Sequence, residues 1–323
     1  MSLIESRPEG LYCSIGDFYI DPLMPVGKAI ISHAHADHFC SGCDQYFGHR
    51  HTIHFLKLRM GRIAPMKGVG YGEILSFNGV KVSLHSAGHM PGSAQVRLEF
   101  KGEVWVVTGD LKPEGNPYCA PFENLSCDHL ITECTFNDPV FKWPSESKEL
   151  KAISKWYHNC IDSEQVPVLS AYAIGKAQKM QNLLAKENIP VMVHPTIAKF
   201  NDSYKKLGFE IPAYTILRDG MSKKKIGKHL VLAPPSVFNT AWMLRFSSYS
   251  AGLCSGWVFK PETIKNRGAN VGFRISDHAD FDSLVANIKQ SGAQSVYLMH
   301  GDKDAMFKHL KDMELELKIL RYQ

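Results

Sequence analysis

The 323-residue chain holds no apolar run near the roughly 18 residues that a membrane-crossing helix needs, so no membrane span is expected. Its opening residues, Met1-Ser2-Leu3-Ile4-Glu5-Ser6-Arg7-Pro8, show no signal-peptide pattern. The eight cysteines form no framework: they lie scattered at 13, 40, 43, 119, 127, 134, 160 and 254, and Cys40 with Cys43 makes a lone C-x-x-C. Without a secretion signal they read as free thiols of a cytoplasmic protein. No internal repeat or low-complexity tract stands out. The charge excess is small. A formal net charge of +5 permits an anionic partner such as nucleic acid without requiring one.

What is present begins with Ile30-Ile31-Ser32-His33-Ala34-His35-Ala36-Asp37-His38, a short apolar strand running into a cluster of metal ligands. His33 and His35 stand two apart, so in an extended chain both rings project to one side. A following turn into a helix would aim Asp37 and His38 at a second position nearby. Imidazole and carboxylate are the ligands zinc takes when no thiolate is used. The spacing suits two adjacent metals better than one.

Further ligand types sit at strand ends. Phe18-Tyr19-Ile20-Asp21-Pro22 alternates like a strand, and Asp21 can orient a ligand histidine through its other ring nitrogen. Val80 to Thr108 reads as a meander of three strands. Its loops carry Ser86-Ala87-Gly88-His89-Met90-Pro91-Gly92-Ser93 and Thr108-Gly109-Asp110, placing one histidine and one aspartate where a metal site could be completed. His129-Leu130-Ile131-Thr132-Glu133 repeats the form of a strand followed by an acid. Near the end, Gly272-Phe273-Arg274-Ile275-Ser276-Asp277-His278 and Ser295-Val296-Tyr297-Leu298-Met299-His300 add histidines after two more strands.

After Pro144 the texture changes to alternating helices and strands, which argues for a parallel α/β layer and a separate lobe at about 143–266. Within it, Ala171-Tyr172-Ala173-Ile174-Gly175-Lys176 joins strand to helix. Backbone N–H groups at a helix start, with a lysine, can hold a phosphate, although the Walker A spacing is absent. Gly175 and Lys176, together with Ser255, are candidate substrate contacts. Ser222-Lys223-Lys224-Lys225 with Lys228 is a basic run of the kind that most often forms a solvated face, with contact to nucleic acid as the alternative.

The order His33-Ala34-His35-Ala36-Asp37-His38, then Gly88-His89, then Thr108-Gly109-Asp110 resembles the metallo-β-lactamase fold, and Glu133, His278 and His300 match later motifs of its β-CASP branch of nucleases. Gly10-Leu11-Tyr12-Cys13, Gly16-Asp17-Phe18-Tyr19-Ile20-Asp21-Pro22, Ala120-Pro121-Phe122, Tyr172-Ala173-Ile174-Gly175-Lys176-Ala177-Gln178 and Leu232-Ala233-Pro234-Pro235-Ser236 are similar to the bacterial ligase-associated DNA exonucleases of the damage response. The resemblance implies an α/β fold. An αββα sandwich would be formed by 1–142 and 267–323, interrupted by a smaller α/β β-CASP cap at 143–266. It implies two divalent ions, zinc or else manganese. One would be held by His33, His35 and His89, the other by Asp37, His38 and His300, with Asp110 bridging. His278 would be the proton donor, supported by Glu133 and Asp21, with Asp37 also at the reacting centre.

The implied reaction is hydrolysis of DNA phosphodiesters by a metal-activated hydroxide, leaving a 5′-phosphate, in an exonuclease of DNA repair associated with an ATP-dependent DNA ligase. His89-Met90-Pro91-Gly92 is similar to the H-x-P-G of Artemis-type DNA nucleases, whereas His300 is similar to the RNA-processing branch. RNA processing is therefore the competing reading, with a small-molecule metallohydrolase behind it.

Overall fold

The computed structural model describes residues 2–61, 64–311, 313 and 315–320. Among the described residues nineteen strands and eight helices follow in chain order. They begin with β1 (Ile4–Arg7), β2 (Gly10–Cys13), β3 (Phe18–Ile20), β4 (Lys28–Ile31), β5 (Gln45–His49), α1 (Arg50–Met60), β6 (Met66–Val69), β7 (Ile74–Phe77), β8 (Val80–Ser86), β9 (Ala94–Phe100), β10 (Glu103–Val107) and β11 (His129–Glu133). Next come α2 (Glu146–Asp162), β12 (Val166–Ser170), α3 (Lys176–Lys186), β13 (Val191–Val193), α4 (Pro195–Lys206), β14 (Thr215–Ile216), α5 (Lys223–Ile226), β15 (Leu230–Ala233), β16 (Tyr249–Cys254), α6 (Pro261–Asn266) and β17 (Val271–Phe273). The chain closes with α7 (Phe281–Ser291), β18 (Ser295–Met299), α8 (Lys303–Leu310) and β19 (Glu316–Ile319). No helix among them is long and apolar enough to cross a membrane.

The chain divides into two compact units, Met1–Lys142 with His278–Gln323, and Trp143–Asp277. The change of sequence texture suggests a second boundary near 266, but the second unit runs to Asp277. The reason is β17, which pairs in parallel with β16 and so belongs to that unit's sheet.

In the first unit, one sheet has the order β1-β2-β3-β4-β5-β6 and the other β19-β18-β11-β10-β9-β8-β7. Each is antiparallel in one half and parallel in the other. The period-2 pattern of β8 explains why the sheets face each other: Val80, Val82 and Leu84 are buried and join Phe18, Ile20 and Ile30 of the first sheet in one apolar cluster with Val96, Leu98 and Trp105. Each such side chain contributes about 1.5–3 kcal/mol by leaving water. On the far face of the second sheet, Leu284 and Ile288 of α7 and Met306 and Leu310 of α8 pack with Val106, Leu130, Val296 and Leu298. Helix α1 lies against β5 and β6 of the first sheet.

The second unit is a six-stranded sheet, order β14-β13-β15-β12-β16-β17, in which every neighbouring pair is parallel. Strands β12 and β15 are buried along their whole length. This follows from their continuous apolar sequences, which suit a sheet covered on both faces. From β12 the chain leaves through α3 toward one edge. From β16 it leaves through α6 toward the other. Connections that part in this way open a crevice at the strands' carboxyl ends.

Candidate metal centre

The groups of the histidine cluster lie in the first unit, on the segments between its strands and helices and at the end of β11. β4 delivers Ser32 and the ligand loop. His33 and His38 are buried, His35 is half-buried and Asp37 is exposed. The loop closes as a turn, with the His38 N–H donating to the His35 carbonyl at 3.2 Å. No helix follows it; α1 begins only after β5.

Asp21, at the end of β3, turns back with a φ of 45°. Its carboxylate accepts from the Ser32 N–H at 2.7 Å and lies 2.8 Å from His38 Nδ1. A hydrogen bond there places the proton on Nδ1 and leaves Nε2 directed at Asp110 Oδ1, 3.3 Å away. Ser32 Oγ also reaches His33 Nδ1 at 3.1 Å. Nothing in the sequence reading marks Ser32. Its one signal is a polar residue between a buried strand and the first histidine.

Asp110 sits two residues after Gly109's neighbour Thr108, on the loop leaving β10, and is 6% exposed. Gly109 has a φ of 55°, and a Cβ there would lie 2.9 Å from Ser32 Cβ. Glycine thus lets the β10 loop approach the β4 loop closely enough for Asp110 to enter the histidines. Asp110 Oδ2 is 3.5 Å from His33 Nε2, 3.6 Å from His89 Nε2 and 3.6 Å from His278 Nε2. His89 Nε2 is in turn 3.1 Å from His35 Nδ1. Among the described residues, two groups have ligand atoms all within 4.8 Å of one another: His33, His35, His89 and Asp110, and then Asp110, Glu133 and His278. Asp110 belongs to both.

Glu133, at the end of β11, is 1% exposed. Its carboxylate accepts from the Leu111 N–H at 2.8 Å and the Thr135 hydroxyl at 2.6 Å, and lies 3.0 Å from His278 Nδ1. His278 keeps 26% of its side chain exposed. His300 follows β18 with a φ of 59°, its ring centroid 5.5 Å from that of His38. The next residue, Gly301, could carry no Cβ, because one would fall 2.1 Å from the Cys134 carbonyl oxygen.

The electrostatics follow from burial opposed by close charges. Burial alone would raise the Asp110 carboxyl, but His38, His278 and His33 together hold it well below the ordinary carboxylate value. Burial pushes His33 down, and the neighbouring His38 adds to that. His38 moves the other way: Asp110 and Asp21 outweigh its burial and raise it well above the usual imidazole range. His300 is lowered, chiefly by burial. An ionised Asp110 with His33 and His300 held toward the neutral form, and further imidazoles converging on it, is a donor set suited to a divalent cation. His33 Nε2 is a direct test of that fit. It is buried, makes no hydrogen bond, and points among the other ligand atoms, as a metal-binding nitrogen must.

The candidate substrate contacts belong to the second unit. The Gly175 N–H donates to Gln178 Oε1 at 2.9 Å, so it is spent within its own turn. Lys176 is 5% exposed, with Nζ 3.6 Å from Asp277 Oδ2 and 3.3 Å from the Cys254 carbonyl oxygen. The turn therefore does not offer the open phosphate cradle its sequence suggests. Ser255 lines a cavity at the strand ends of this unit.

The chain is similar to several known proteins, although no family model matches it. It is 29% identical over 311 residues to a probable DNA ligase of Opitutus terrae, an alignment spanning 95% of this chain and 30% of the ligase. It is 22% identical over 319 residues to an endoribonuclease of Eremothecium gossypii, covering 78% of this chain and 41% of that protein. An endoribonuclease of Saccharomyces cerevisiae is 29% identical over 296 residues, covering 74% and 38%. The chain thus spans well under half the length of these relatives. A crystal structure of a protein of unknown function from Enterococcus faecalis shares the fold, with a TM-score of 0.59, 12% identity, and coverage of 91% of this chain and 79% of that one. Taken together with the histidine and aspartate cluster, the relatives indicate kinship with the metal-dependent nucleases of metallo-β-lactamase fold and β-CASP type.

Proposed function

We propose that the protein is a metal-dependent DNA exonuclease of repair, hydrolysing phosphodiester bonds at the cluster centred on Asp110. The observation that carries this reading is the convergence of four histidines and Glu133 on that one buried carboxylate. His33, His35 and His89 would hold one divalent ion, His38, Asp37 and His300 the other, with Asp110 between them. Zinc or manganese bound there supplies Lewis-acid polarisation of a phosphoryl oxygen and a nucleophilic water at neutral pH. Asp21 fixes the tautomer of His38. Glu133 does the same for His278, keeping the proton on Nδ1's side oriented and Nε2 toward the reacting centre. His278 retains the exposure that a donor to the departing 3′-oxygen needs, and an imidazole suits proton transfer near neutral pH.

The second unit, in this reading, is a β-CASP-type cap that helps hold the strand. The probable DNA ligase, 30% of whose length aligns with this chain, supports DNA as substrate and a working association with an ATP-dependent ligase. RNA processing is the second reading, favoured by the endoribonuclease relatives and by a histidine at position 300. The test is digestion of matched DNA and RNA strands, labelled at either end, by protein loaded with zinc or manganese. Progressive loss of DNA from one end is expected. Preferential internal cutting of RNA would replace the first reading by the second, and no cleavage of either would overturn both.

A further inference from the structure

The cavity that Ser255 lines lies wholly within the second unit and has a volume of about 470 Å³, inside the ~300–1,000 Å³ usual for small-molecule sites. It sits at the carboxyl ends of β12 and β16, the adjacent strands whose connections part toward opposite edges of the sheet. Such a crevice is where open parallel sheets bind ligands. Its walls combine three chemistries. Tyr172 and Trp257 are large rings left 55% and 38% exposed. Ser170 and Ser255 bring hydroxyls, and Arg267 brings a guanidinium. Lys176 Nζ lies 5.4 Å from the Tyr172 ring centroid and is itself tied to Asp277. The buried lysine therefore braces the ring from within the protein.

We propose that this cavity binds a single nucleotide of the nucleic-acid strand, its base against the rings of Tyr172 and Trp257 and its phosphate on Arg267. An aromatic face accepts any base, and stacking on it tolerates sequence. A guanidinium matches phosphate oxygens two at a time. Neither the Gly175 N–H nor the Lys176 ammonium takes part, because both are engaged inside the fold. The proposal rests on the nucleic-acid reading above for the kind of ligand, and adds where and how one nucleotide is gripped.

The experiment is calorimetric titration of the full chain, in chelator, with deoxyadenosine 5′-monophosphate and separately with 2-deoxyribose 5-phosphate. The nucleotide should bind, and the sugar phosphate at least tenfold more weakly. Tyr172→Ala and Trp257→Ala should each weaken nucleotide binding about tenfold or more. Arg267→Gln should weaken both ligands. Circular dichroism melting should show the two ring variants folded, since both side chains are exposed. Nucleotide binding indifferent to both rings, sugar phosphate bound as tightly as nucleotide, or no nucleotide binding at millimolar concentration would overturn the proposal. The nuclease reading fails separately. Ring-dependent nucleotide binding in a protein that cuts no nucleic acid would sink that reading and leave the cavity assigned. DNA cleavage with ring-independent nucleotide binding would do the reverse.

Discussion

Two loops leave the carboxyl ends of parallel strands, one after β4 and one after β12, and both look like ligand sites in sequence. After β4, the polar groups converge. His33, His35 and His89 bring ring nitrogens to Asp110, while Ser32 takes the far side of the His33 ring and Asp21 that of His38. After β12, the polar groups are consumed internally, Gly175 by Gln178 and Lys176 by Asp277. What separates them is whether a buried polar group already has its partner. A buried group with a partner holds the fold. A buried ring nitrogen such as His33 Nε2, which faces Asp110 but makes no hydrogen bond, is arranged for something else.

The largest expected effect tests the convergent loop at its centre. Asp110→Ala removes the carboxylate shared by both ligand groups. Cleavage should fall below detection, beyond the roughly 10⁴-fold that losing a proton donor can cost. Metal content of the purified, zinc-loaded variant should drop from near two ions per chain. Near-normal turnover with full metal content would show that Asp110 is not the shared group, and the contrast with the β12 loop would lose its basis.

His278→Ala comes next and sharpens the picture within the first unit. His278 falls in the second ligand group by distance, yet it keeps 26% of its side chain exposed, unlike the buried rings of His33 and His89. As a proton donor its loss should cost about 10²–10⁴-fold in turnover while both metals stay bound. An activated aryl phosphodiester, whose leaving group needs little protonation, should suffer less than DNA. Loss of a metal from this variant would instead make His278 a ligand.

The same contrast explains what could be read from the sequence. Candidate ligands announce themselves because their residue types are few and follow apolar strands, so His33, His35, His89 and Asp110 were legible as candidate ligands, with Glu133 and His278 legible as a support and a proton donor, and the structure brings these six close together. Asp21 was legible as a support because it ends a strand beside them. Two things were not. Asp37 stands exposed in a turn where a helix was expected, since a tight His35–His38 turn and not a helix follows β4. The fate of Lys176 was invisible because its partner, Asp277, lies about a hundred residues downstream, on the far side of β16 and β17. Local sequence gives a lysine at a helix start; only the tertiary fold gives it a counter-ion. The edge strand β14 carries no readable pattern because it is two residues long, whereas β19 does alternate, as Glu316-Leu317-Lys318-Ile319.

Lys176→Met tests that counter-ion directly. It removes the cation that faces buried Asp277, and breaking a buried ion pair by removing one partner costs about 3–5 kcal/mol. Urea unfolding should show that loss, with metal content unchanged, and Lys176→Met combined with Asp277→Asn should recover most of it. A single variant as stable as the parent but much weaker in DNA binding would return Lys176 to the phosphate and collapse the distinction between the two loops.

The smallest effect concerns a buried histidine outside the ligand cluster. His49 is 5% exposed, stacks on Tyr71 with ring centroids 4.0 Å apart, and caps α1 by accepting the His51 N–H on Nδ1 at 3.2 Å. Burial, with His51 and Arg50 nearby, lowers its pKa to about 3. The unfolded chain, with an ordinary value near 6.5, therefore takes up this proton first as pH falls. The stability that neutral His49 confers is complete above about pH 6.5 and is lost progressively as pH falls toward 3. Between pH 7.5 and 5.0 that one group should cost the parent about 2 kcal/mol. His49→Asn keeps a capping side chain but cannot titrate. Urea unfolding at the two pH values should find the variant losing about 2 kcal/mol less than the parent over that interval. Equal losses would mean that the cap survives protonation, and that His49 is poised like a titrating surface group and not held neutral by its surroundings.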